Sequence, residues 1–108
     1  MIYFANMDRI EKIKSFLEQN PKDAFLIHAL ALEYLKLEDA EQALACFKHN
    51  QELNPDYVGT YYHLGKLLEQ LGNEQEAALI YEQGMQEARN QKDQHAYNEL
   101  QSALDNLL

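Results

Sequence analysis

The sequence predicts an all-α fold of about six helices stacked as antiparallel pairs, on three observations. Apolar and small residues recur at a spacing of 34, turn residues separate every helical stretch, and no run of alternating residues marks a strand. Ile27, Leu30, Ala31, Tyr34, Ala43 and Phe47 lie 34 residues before Tyr61, Leu64, Gly65, Leu68, Ala77 and Tyr81, and Pro21 lies 34 before Pro55. A chain of 108 residues supplies one core, and its 46% hydrophobic and 25% charged residues fit a soluble globular domain rather than a membrane span.

The elements follow in order. Ile10, Ile13, Phe16 and Leu17 form an amphipathic stripe on a helix over 7–19, which Asn20-Pro21 ends and after which Asp23 opens the next helix. Helices are expected over 23–37 and 40–53, then 57–71 and 74–89. Asn54-Pro55-Asp56 closes one pair and opens the next, with Asp56 accepting from the free amides. At the tighter turn, Gly72 takes the left-handed conformation and Asn73 caps the following helix. Tyr61, Leu64, Gly65 and Leu68 share one face, as do Ala77, Tyr81 and Gly84. Small Gly65 and Ala77 allow close approach of the helices, and the rings of Tyr61 and Tyr81 are expected to fill the space between successive pairs. A last helix over 93–107 repeats the spacing with Tyr97, Leu100 and Leu104 at an offset of 36, so two extra residues fall around Arg89–Gln94. Its other face, with Asn98, Glu99, Ser102, Asp105 and Asn106, is polar, as the terminal helix of a repeat stack must be.

This pattern resembles the tetratricopeptide-repeat (TPR) family. Tyr61-Tyr-His-Leu64-Gly65, then Leu68, Ala77, Tyr81 and Gly84 match the family signature best. In the first repeat Ala31, Glu38 and Asn50 depart from it, standing where Gly65, Gly72 and Gly84 stand later. The resemblance implies a right-handed superhelical solenoid forming one domain over 1–108. Its parts would be an N-terminal capping helix at 7–20, repeats at 24–57 and 58–91, and a C-terminal capping helix at 93–108.

By the same resemblance, the first helix of each repeat lines a concave groove for an extended or helical peptide. The residues about 100° around from the buried stripe are Phe25, His28, Leu32, Leu35 and Lys36, then Tyr62, His63, Lys66, Glu69 and Gln70. The capping helix adds Asn98, Ser102 and Asp105. The helix at 23–37 is apolar nearly all round, and Phe25, Leu32 and Leu35 exceed what its own stripe requires, which points to an interaction surface. The N-terminal residues Ile2, Tyr3 and Phe4, or a second copy of the protein, are alternative covers for it. The family's clamp for a terminal carboxylate would put cations and amides where His28, Leu32, His63 and Lys66 stand. Only Lys66 is a permanent cation there, so no such receptor is expected.

The function that follows is a protein- or peptide-binding scaffold, with homo-oligomerisation as the alternative. A formal charge of −9 opposes binding to DNA or RNA, and no cofactor or membrane partner is expected. The single cysteine, Cys46, and the missing parts of a secretory signal suggest the cytoplasm. No nucleophile elbow, phosphate loop or paired carboxylates stand out, so no catalytic residue is assigned. Remote from both is a metal site of His28, His63 and His95, which lie on three different helices. His49 follows Lys48 near a helix C-terminus, where a cation is favourable.

Overall fold

The computed structural model describes residues 2–108, with side chains from Met7 onward. Its described residues form six helices and no strand: α1 (Ile2–Gln19), α2 (Ala24–Lys36), α3 (Ala40–Leu53), α4 (Gly59–Gln70), α5 (Glu74–Asn90) and α6 (Gln94–Leu107). No described helix is long and apolar enough to cross a membrane. The helices gather into two compact units, Met1–Asn54 with α1 to α3 and Pro55–Leu108 with α4 to α6.

One turn design recurs three times. Glu38, Gly72 and Lys92 each take positive φ, at 58°, 83° and 59°. The residue after each sends its amide back to the carbonyl five positions earlier, as in Asp39 to Tyr34, Asn73 to Leu68 and Asp93 to Ala88. The same residue then caps the next helix. Asp39 accepts from the Gln42 amide at 3.2 Å, Asn73 from Glu76 at 3.3 Å and Asp93 from Ala96 at 3.0 Å. One residue thereby satisfies an orphan carbonyl of one helix and an orphan amide of the next. The extra residues before α6 are accounted for by α5, which continues to Asn90, 37 residues beyond the end of α3 at Leu53 and so three past the 34-residue register.

In the first unit α2 packs on both α1 and α3. Ile10, Ile27, Leu30, Ala31, Ala43 and Phe47 are buried. Of the stripe expected on α1, Ile10 is buried and Leu17 half-buried, but Phe16 is exposed. Among the described residues α1 packs mainly on α2, and Phe16 lies about 240° around the helix from Ile10. The Glu33 carboxylate joins the two helices, with Lys36 at 3.0 Å and Arg9 at 4.0 Å. Asn50, at the register of Gly84, is completely buried. Its Nδ2 donates to the Ala24 carbonyl at 3.1 Å and its Oδ1 accepts from Asn54 Nδ2 at 2.8 Å. The departure from a small residue is therefore a polar clamp between α3 and the start of α2.

In the second unit α5 packs on both α4 and α6. Both tyrosines pack across the α4/α5 pair, and Leu100 of α6 reaches the same glycine as Tyr61. A Cβ on Gly65 would lie 2.2 Å from Tyr81 Cε1, and one on Gly84 would lie 2.5 Å from Tyr61 Cβ and 2.9 Å from Leu100. Each glycine on one helix thus makes room for an aromatic residue on the other. Tyr61 then donates its hydroxyl to the Pro55 carbonyl at 2.6 Å. Asp56 does not cap α4. The helix begins at Gly59 with Val58 at its N-cap and no side-chain bond there, while the Asp56 carbonyl accepts from Gln91 Nε2 at 2.5 Å. Proline at 55 opens a turn that spends two further residues before helical geometry begins. On α6, Leu100 and Ala103 are buried, and Asn98, Glu99, Ser102, Asp105 and Asn106 are exposed.

Candidate functional site

Each predicted binding residue lies on the first helix of a pair, and the two sets differ in chemistry. Phe25, His28, Leu32, Leu35 and Lys36 all fall on α2, at spacings that keep them on one side of the helix. Phe25 is the most open, with 67% of its surface exposed. Leu32 and Leu35 are half-buried and Lys36 is exposed. His28 is half-buried, its ring tilted 60° against Phe47 at 5.8 Å between centroids. The face is apolar, with a cation at its C-terminal end.

Tyr62, His63, Lys66, Glu69 and Gln70 fall on α4. The Tyr62 and His63 rings meet edge to face at 5.7 Å, and Lys66 Nζ stands 5.7 Å above the centre of the Tyr62 ring. Lys66 also lies 3.8 Å from Glu69 Oε2, the atom that accepts the Tyr81 hydroxyl. Glu69 therefore joins this face to the core, and only Gln70 of the five is exposed. Burial holds the His63 imidazole below its ordinary pKa, partly offset by the Glu99 carboxylate. Burial, then the hydrogen bond and charge of Glu69, push the Tyr81 phenol far above its ordinary value.

Glu69 and Tyr81 have register partners in the first unit, Leu35 and Phe47. The polar residues of one repeat are replaced by apolar ones in the other. A fold-back of Ile2, Tyr3 and Phe4, one of the two alternative covers for the α2 face, lies outside the described side chains. Asn98, Ser102 and Asp105 stand exposed on α6. Among the described residues, no group of three or more His, Cys, Asp or Glu side chains is placed to hold a metal ion. Sequence reasoning took Asn50 only as a departure at the place of Gly84 and Asn54 only as part of a helix stop, and missed the hydrogen bond that joins them.

Comparison with known proteins adds family membership. The tetratricopeptide-repeat model matches residues 26–57 and 58–91. A search of curated proteins finds no match. Among solved structures, a tetratricopeptide-repeat domain protein of Salinibacter ruber is 47% identical at a TM-score of 0.76, over 79% of this chain and 94% of that one. The type III secretion translocator chaperone SycD of Yersinia enterocolitica superposes at a TM-score of 0.84 with 12% identity, over 97% of this chain and 73% of its own. The first TPR of Spaghetti (RPAP3), solved with the HSP90 peptide SRMEEVD, superposes at 0.76 with 20% identity, over 97% and 81%. The last two share the fold alone. With both helix pairs matched by the family model and close identity to one solved member, the chain belongs to the tetratricopeptide-repeat family.

Proposed function

We propose that this protein is a peptide- or protein-binding module, not an enzyme, and that its ligand lies on the first-helix faces of its repeats. Phe25, His28, Leu32, Leu35 and Lys36 of α2 form one contact surface, and Tyr62, His63, Lys66, Glu69 and Gln70 of α4 form another. The observation that carries the reading is Phe25, a large ring 67% exposed on a helix whose own core is filled by Ile27, Leu30 and Ala31. Leaving such a ring in water costs stability that an apolar ligand side chain recovers, and anchors of this kind dominate binding energies. A solved structure of the same fold holds a peptide, which supports the class of ligand without naming it.

The two faces differ in the ligand chemistry they suit. The α2 face favours apolar side chains. On the α4 face the Tyr62 ring, Lys66 and Glu69 present an aromatic surface with paired charges, suited to polar and backbone groups. A reducing, cytoplasmic setting fits the single half-buried Cys46.

The test is capture of partners from the source cell by the intact chain, beside one variant with Phe25→Ser and Leu32→Ser and another with Tyr62→Ser and Lys66→Ser. Each variant is expected to keep the wild-type circular dichroism and to lose a shared partner by tenfold or more, an amount of anchor energy typical of interface hot spots at about 1.4 kcal/mol. Undiminished capture by both folded variants would sink the reading.

A further inference from the structure

In each repeat the second helix buries one face. On α3 that face is Ala43, Phe47 and Asn50, and on α5 it is Ala77, Tyr81 and Gly84, all buried. In the second repeat it lies close against the first helix, since a Cβ on Gly84 would meet Tyr61 and one on Gly65 would meet Tyr81. In the 34-residue register the same face of α1 is Arg9, Ile13 and Phe16. There Ile13 is only half-buried and Phe16 is 56% exposed. The matching face of the first helix α4 is Tyr61, Gly65 and Leu68, again all buried. On α6 it is Tyr97, Gln101 and Leu104, at the offset of 36, with Gln101 exposed and the other two half-buried. The chain therefore carries both halves of the contact that closes a repeat, one on α1 and one on α6, and both are open. Charge matches the two halves. Exposed Arg9 and Lys12 stand one turn before Ile13 and Phe16 on the same side of α1, and Arg9 approaches Glu33 only to 4.0 Å. On α6, which has no lysine or arginine, exposed Asp105 stands one turn after Gln101 on the same side.

We propose that α1 of one copy packs antiparallel on α6 of a second copy. Phe16 then lies against Tyr97, and Ile13 against Gln101 and Leu104. An antiparallel pairing sets the start of one helix beside the end of the other, which brings Arg9 and Lys12 to Asp105. Two chains thereby form the helix pair that α4 and α5 form within one. Different surfaces of two identical chains meet, so the contact is head to tail and leaves one α1 and one α6 open for further copies. It uses neither the α2 nor the α4 face and is independent of the ligand proposed for them.

The weight-average mass of the intact chain is measured by sedimentation equilibrium from about 10 μM to about 1 mM, the range suited to a small interface. It is expected to rise by about half or more. Phe16→Ser removes the ring from α1, and a Gln101→Lys, Asp105→Lys double variant sets cations opposite Arg9 and Lys12. All three positions are exposed, so each variant is expected to keep the wild-type circular dichroism, and each alone is expected to stay monomeric. Mixed in equal amounts, the two variants hold one working α1 face and one working α6 face between them. A one-to-one pair and nothing larger is expected. A wild-type mass that stays at the monomer value throughout would overturn the proposal, and so would a mixture that remains monomeric. Association lost in Phe16→Ser but kept in the double variant would also overturn it, because α1 would then pair with a surface other than α6.

Discussion

At the scale of single residues the chain depends on a few positions where geometry leaves little choice. Gly72 has open space around its Cα, so its value is conformational: an L-residue at φ +83° is strained whatever the room. Gly72→Ala is expected to lower the unfolding free energy by about 1 kcal/mol in urea titration. Glu38 and Lys92 hold the same conformation without glycine, and Glu38→Gly or Lys92→Gly should each raise it by about 0.5 kcal/mol. Gly65 is limited by contact instead. Gly65→Ala drives a methyl into the Tyr81 ring and should cost about 2 kcal/mol, the usual order for overpacking. The first repeat carries Ala31 and Phe47 at these two places, with no hydroxyl to tether the ring. A double-mutant cycle should therefore show a smaller cost of Gly65→Ala in a Tyr81→Phe background. The buried Asn50 clamp gives the largest polar effect, with Asn50→Ala expected to destabilise by about 2 kcal/mol. Titration adds a pH signature. The Tyr81 phenol stays protonated in the folded state beyond the value near 10 at which the unfolded chain ionises. Above that pH the unfolded state has lost a proton that the folded state keeps, so this contribution is complete below pH 10 and declines above it. Tyr81→Phe should flatten the alkaline fall in stability measured by urea titration between pH 9 and 11.

At the scale of elements, helix order and type were legible because each helix repeats its apolar spacing, and all six were anticipated. The α4 start was not. Asn54-Pro55-Asp56 reads as a boundary with its own cap, yet Tyr57 and Val58 still precede the helix, because the Pro55 carbonyl is taken by Tyr61 and the Asp56 carbonyl by Gln91. Those partners lie six and 35 residues away, beyond the reach of local turn rules. The turns at Glu38 and Lys92 were equally hidden. Only glycine advertises positive φ in a sequence, whereas two backbone bonds and the caps at Asp39 and Asp93 impose it on residues that do not prefer it. Phe16 was assigned to the stripe of Ile10, yet it lies about 240° around the helix from it and is exposed. The candidate faces on α2 and α4 could be located by helical geometry, since an angle from the packed stripe fixes which side remains. Their chemistry could not be read that way. The sequence does not reveal that Glu69 is engaged by Tyr81 from within, or that Lys66 lies over Tyr62.

At the scale of the whole molecule, the same helices have to fill a core and present a surface, and the sequence divides the two tasks between different sides of α2 and α4. Charge is divided as well. The first unit has six Lys and Arg against nine Asp and Glu, and the second has three against nine, giving −3 and −6 of the total −9. A cationic ligand segment should favour the second unit, and its affinity should fall as salt is raised from 50 to 500 mM, while apolar anchoring on α2 should not. The separation of packing from binding is most directly tested by mapping amide chemical-shift changes in the isotope-labelled chain as a captured partner is titrated in. The account predicts that the largest changes fall on Phe25 to Lys36 of α2 and Tyr62 to Gln70 of α4. Changes confined to α3, α5 or α6, with both first helices silent, would contradict it.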